Sequence, residues 1–167
     1  MIRNKRSRVV FVLMMIVMLT LAALPAHKAE AAVCGTDSYL YRSAGTGIWA
    51  ANATWQVSTD SGATWAAADC WPSSNNGTIQ IQNGHTVTVD AGITVDQVTI
   101  DAGGQVTVNS GVTWTIADGT GTDLTVNGTV VNAGTMTMTG TGSFGADSTY
   151  QHNRNGGNGD GNIVYHC

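Results

Sequence analysis

From Ile79 to Gly140 the chain keeps repeating one short pattern, apolar residue, threonine, apolar residue, then a glycine-containing turn, and few folds accommodate it. Four segments lie under one another: Ile79 to Gly92, Val98 to Gly111, Trp114 to Gly119 with Leu124 to Gly128, and Val130 to Gly140. Each reads as strand, turn, strand, turn. Val89, Val108 and Val126 fall 19 and 18 residues apart, and the last unit is shorter. Alternation at period two marks a strand with one buried face, and β-branched side chains suit such a pleated surface. Strands of this length cannot bury a face alone, so the units must stack and point Val and Ile inward. The pattern predicts an all-β fold, a short single-stranded parallel β-helix, or solenoid. An antiparallel sandwich with hairpins at the same turns is the competing architecture, but it gives no reason for near-constant spacing.

The flanks differ in composition. Cys34 to Pro72 carries four of the five tryptophans, Trp49, Trp55, Trp65 and Trp71, between turns such as Thr59 to Gly62. An open solenoid end is a row of unpaired backbone groups that invites association, so this Trp-rich stretch is expected to form an N-terminal cap. From Tyr150 the chain turns polar, and Asn155 to Gly161 reads as a loop or tail. At the other extreme, Arg3, Lys5, Arg6 and Arg8 precede an apolar run from Val9 to Leu24 and the small-residue pattern Ala29-Glu30-Ala31. That is the organisation of a cleaved export signal, with the cut expected between Ala31 and Ala32. A retained anchor is the alternative, although the apolar run falls short of the ~20 residues that span a bilayer. Lipid attachment at Cys34 is disfavoured by Val33, where a small residue is needed. The expected divisions are residues 1–31 signal peptide, 32–77 cap, 78–149 coils and 150–167 polar tail, in a protein secreted to the cell surface or beyond.

Cleavage would remove five of the seven basic residues and leave Arg42 and Arg154 against ten aspartates, a formal balance of −8. Nucleic acid is thereby excluded as a partner, because phosphate binding draws on Lys and Arg. A polybasic contact with membrane lipids is excluded on the same ground. Uronate lyases need basic residues, and glycosidases need two carboxylates held at a fixed separation. Asp90, Asp96, Asp101, Asp118 and Asp123 instead sit at strand ends, three of them beside Gly or Ala, where turn aspartates belong. Ca²⁺ ligation by these oxygens is the alternative; no other cofactor is implied. His85, His152 and His166 show no metal or triad spacing. Of the cysteines, Cys34 and Cys70 are expected to form a disulfide, leaving Cys167 unpaired or joined to another molecule; the alternative leaves all three unpaired. No cysteine spacing fits a metal site.

Between Pro72 and Val108 the runs TIQIQNGHTVTVDAG and VDQVTIDAGGQVTV resemble the opening coils of G8-type and related parallel β-helix modules of large secreted bacterial surface proteins. The preceding YRSAGTGIWANATWQVSTDSGATW is similar to the Trp-rich lead-in of such modules, so the resemblance extends from Tyr39 to His152. It implies an extracellular module of adhesion, matrix or carbohydrate-associated proteins. The expected function is therefore a structural or adhesive module without catalytic activity, meeting other surface proteins or itself through its solenoid ends or Cys167. The alternative is a carbohydrate-binding module that recognises an extended polysaccharide. Its candidate contacts are Trp49, Trp55, Trp65 and Trp71, or a Thr-lined face that includes Thr86 and Thr88. Thr113, Thr115, Thr135, Thr137, Thr139 and Thr141 are expected on that same flat face, as solvated surface or as a hydroxyl lattice for polysaccharide or ice. The unequal last unit argues against ice.

Overall fold

The computed structural model describes residues 39–153 and the backbone of 163–166. The expected signal peptide, Cys34, Cys167 and the Asn155 to Gly161 loop lie outside the described residues. The strands are β1 (Leu40–Ser43), β2 (Gly47–Ile48), β3 (Trp55–Ser58), β4 (Ala66–Ala67), β5 (Ile79–Ile81), β6 (Thr86–Val89), β7 (Ile93–Val95) and β8 (Val98–Ile100). They continue with β9 (Gln105–Val108), β10 (Thr113–Ile116), β11 (Leu124–Val126), β12 (Thr129–Asn132), β13 (Thr135–Met138), β14 (Gly142–Phe144), β15 (Thr149–His152) and β16 (Ile163–His166). One 3₁₀ turn, Asn52–Thr54, interrupts them.

These strands form three sheets that run the length of a parallel β-solenoid. The first sheet stacks β5, β8, β11 and β14; the second β6, β9, β12 and β15; the third β7, β10 and β13. Every pairing within those stacks is parallel. The fold is thus the expected solenoid, but each coil has three strands where the sequence repeat suggested two. Ile93 to Val95 is the strand that the two-strand unit passed over.

The extra strand changes the register. Val89 pairs with Val108 as expected, but Val108 then pairs with Asn132, whereas Val126 belongs to the first sheet under Ile100. Trp114 aligns with Ile93 on the third sheet, apart from Leu124, which aligns with Val98. The cause is unequal corners. Asp96 and Gln97 alone join β7 to β8, while Ala117 to Asp123 join β10 to β11, so a sequence repeat drifts against the spatial one. Gln97 sits at φ 53° in its two-residue corner, and its side-chain amide donates to the Thr120 carbonyl at 2.8 Å, tying the short corner to the long one above it.

Inside, the columns Ile79–Val98–Leu124, Ile81–Ile100–Val126 and Val87–Val106–Val130 are each at most 1 % exposed. Each such side chain contributes roughly 1.5–3 kcal/mol by leaving water. Towards the C-terminal end two of the apolar columns lose their cover. Ile116 is followed by Met138 and Val126 by Phe144, which are 43 % and 38 % exposed. The fourth coil runs to His152, past Tyr150 where the polar stretch of sequence begins, and β16 adds to it antiparallel. At the N-terminal end β1 extends the first sheet in parallel beside β5, then β3 and β4 add antiparallel.

Coil three turns two corners with two residues each, nested against four-residue turns of coil two. A methyl group at Gly128 would overlap the carbonyl oxygens of Gly104 and Asp101, and Thr129 N–H donates to that Gly104 carbonyl at 2.9 Å. Overpacking against backbone leaves little room to relax. Gly128→Ala is expected to destabilise the fold by about 2 kcal/mol or more, whereas Gly45→Ala, with open space around it, stays within about 0.5 kcal/mol of the parent. Urea unfolding followed by circular dichroism compares the two.

Candidate functional site

The four tryptophans of the N-terminal stretch meet different fates. Trp49 and Trp55 are each 1 % exposed, stack edge to face with centroids 4.8 Å apart, and Trp49 reaches Trp114 at 6.2 Å. Their sequence-based candidacy as ligand platforms is corrected by this burial, since neither ring presents a face to solvent. Both indole N–H groups are satisfied, Trp55 donating to the Trp49 carbonyl at 2.8 Å and Trp49 to the Pro72 carbonyl at 2.9 Å. A buried indole seeks such a partner. Trp65 is half-buried, and the Arg42 guanidinium lies 4.2 Å from its ring centroid while Arg42 Nε donates to Gln56 Oε1 at 2.8 Å. A cation already occupies that ring face.

Trp71 alone among the four is open, 46 % exposed at the rim of a depression of about 530 Å³. Asn52, Asp69, Ser73, Asn75 and Asn76 also line it. The segment beneath is held from several sides. The Trp49 indole fixes the Pro72 carbonyl, Asn52 Nδ2 donates to the Asp69 carbonyl, and Ser74 N–H donates to the Thr94 carbonyl at 3.0 Å on the outer edge of β7. Asn76 closes its own turn by accepting from Ser73 N–H at 2.8 Å. It is 6 % exposed, and its Nδ2 has no acceptor. Tyr41 adds a further tie, its hydroxyl lying 3.3 Å from Cys70 Sγ. Burial, the neighbouring Tyr39 and the charge of Asp69 raise the Tyr41 phenol above its ordinary value.

The expected single threonine face divides into two. Thr86 and Thr88 lie half-buried on the second sheet, where Thr88 sits beside Thr107 but Val131 interrupts the column. Thr113 and Thr115, with Thr135 and Thr137, lie on the third sheet, and Thr139 and Thr141 fall beyond its last strand. Three-strand coils send successive Thr-x-Thr pairs to different faces. The in-register hydroxyl columns of three are Thr94–Thr115–Thr137 on the third sheet and Thr99–Thr125–Ser143 on the first, and Thr94 lies on the strand that the two-strand unit passed over.

Two polar pairings were not legible from spacing. Ser43 Oγ lies 2.8 Å from His85 Nδ1 across 42 residues and accepts from Gln82 N–H at 2.9 Å. Ser43 is wholly buried, so the pair ties β1 to the β5–β6 turn and offers no hydroxyl to a substrate. The other is a carboxylate corner. Asp123, also wholly buried, accepts from Gly119 N–H at 2.8 Å and from the backbone N–H and hydroxyl of Thr141 in the next coil. These donors hold its carboxyl below the ordinary range. Asp96 stands beside it and moves the other way, raised by burial and by the neighbouring Asp123 carboxylate. No group of three or more His, Cys, Asp or Glu side chains among the described residues is placed to hold a metal ion.

Comparison with family models, curated proteins and solved structures finds no match. The G8-type resemblance therefore rests on the strand-and-turn pattern alone.

The carboxylates give a pH dependence with two opposed arms. In the Ser58 to Thr64 loop, Asp60 accepts from the Thr64 and Ser58 hydroxyls and the Thr64 N–H and is lowered from 3.8 to about 2. Stability from Asp60 and Asp123 is present above the unfolded value of 3.8 and is lost as pH falls below it. Asp96 holds its proton more firmly folded than unfolded, so its contribution is complete below 3.8 and is lost as pH rises through its raised value. Thermal melts of the parent are expected to peak in mild acid. Asp96→Asn should remove the decline on the alkaline side and leave the acid decline in place.

Proposed function

We propose that this chain is a secreted structural or adhesive module of the cell exterior, without catalytic activity, that associates through the C-terminal end of its solenoid. The observation that carries the reading is the uncovered core layer there. Met138 and Phe144 stand in columns whose earlier members are wholly buried, and among the described residues no strand pairs with the outer edges of β13 and β14. Exposed apolar side chains beside unpaired strand edges favour a partner with a strand to add. The partner is another copy of the chain or another surface protein. The N-terminal end reads as the capped one, since Trp49, Trp55 and Tyr41 are buried there.

Export agrees with the basic, apolar and small-residue order of residues 1–31. The same reading includes a disulfide between Cys34 and Cys70, which would close the N-terminal segment on itself. That closed loop would contribute about 3 to 4 kcal/mol. Non-reducing digestion and mass spectrometry should yield a Cys34–Cys70 peptide; a Cys70–Cys167 peptide would overturn the assignment.

Association is tested by sedimentation of the secreted chain over a wide concentration range, with and without reductant. Oligomers that persist under reductant and dissolve in the Met138→Lys/Phe144→Lys double variant are expected. A parent that stays monomeric throughout, or oligomers indifferent to both substitutions, would count against the reading.

A further inference from the structure

We propose that the depression beside Trp71 is a binding subsite for a neutral hexopyranose unit of a glycan, a function separate from association at the C-terminal end. Three features of the depression carry this. The first is the exposed indole of Trp71 at its rim. The electron-rich face of an indole attracts groups with partial positive charge, and the C–H-bearing face of a pyranose chair is such a group and of matching breadth.

The second is the polar lining. Asp69 and Asn75 are exposed at the edge, and Asn52, whose Nδ2 is engaged with the Asp69 carbonyl, keeps its Oδ1 as an acceptor. Asn76 also lines it, 6 % exposed, with its Nδ2 donor wholly buried and without an acceptor. Sugar hydroxyls both donate and accept, so they can serve the Asp69 carboxylate and the carboxamides of Asn52 and Asn75 together. A few placed polar groups around an apolar surface is the usual composition of a small-ligand site.

The third is the charge. No Lys or Arg lines the depression, and Arg42, the one Lys or Arg among the described residues, is committed to Trp65 and Gln56. Asp69 would repel uronate or sulfate. The class of ligand is thereby narrowed to sugars without anionic groups, of which the neutral hexopyranose is the simplest.

The site is also held in place before any ligand arrives. Trp49 fixes Pro72, Asn52 fixes Asp69, Ser73 and Asn76 close the turn, and Ser74 joins the solenoid edge. Segments already ordered lose less entropy on binding.

The test is titration of the secreted chain with cellohexaose, laminarihexaose and mannohexaose, read by calorimetry and intrinsic tryptophan fluorescence, with oligogalacturonate and chitosan oligomers as charged comparators. Binding of at least one neutral oligosaccharide is expected. Trp71→Ala should weaken it by about tenfold or more, the scale of ~1.4 kcal/mol. Asp69→Asn should weaken it severalfold, and Trp65→Phe should leave it unchanged. Trp71 lies outside the core, so its variant should keep the parent melting temperature, which the same samples report. Binding confined to charged oligomers, binding unaffected by Trp71→Ala, or no binding to any neutral oligosaccharide would overturn the proposal. Sedimentation reads association independently, so either idea can fail without the other.

Discussion

Everything in this chain depends on keeping its inward columns in register from coil to coil. The backbone ladders between parallel strands set the spacing at about 4.8 Å, and Val, Ile and Leu fill the interior only if each sits above its counterpart. A slip of one residue would turn every inward side chain outward. The corners therefore do more than connect. Asp123 bonds its own corner to Thr141 in the next coil, Gln97 bonds a two-residue corner to the seven-residue one above it, and the glycines of coil three let two tight corners nest against wider ones.

How far the sequence could be read follows from the same constraint. Period-two alternation is a local property, so strands such as Thr86–Val89 and Gln105–Val108 were legible, and with them the solenoid. Register is not local. It depends on corner length, and the seven residues from Ala117 to Asp123 displaced Trp114 and Leu124 onto different sheets without disturbing either strand's pattern. Ile93 to Val95 was passed over because three residues between turns carry almost no periodicity.

The candidate site was legible only as a list of tryptophans. All four sit in similar Gly-, Ala- and Asn-rich surroundings in sequence, and what separates them is tertiary. Trp49 and Trp55 fill the end of the core, Trp65 takes a cation, and Trp71 is turned outward because Pro72 beside it is tethered from below. The Ser43–His85 contact was equally hidden, as a pairing across 42 residues must be when neither partner belongs to a recognisable motif.

The direction of the ladder bonds has a mechanical meaning. Bonds between coils run along the solenoid axis, while each coil's strands run across it. A chain held at its two ends and pulled would not load the ladders together. Force would concentrate on the outermost pairing, which is the antiparallel contact of β16 with β15 at one end, and open it bond by bond before the next coil felt strain. The molecule would yield by peeling at low force and could rewind coil by coil, so that under tension it behaves as a compliant spring rather than as a rigid strut.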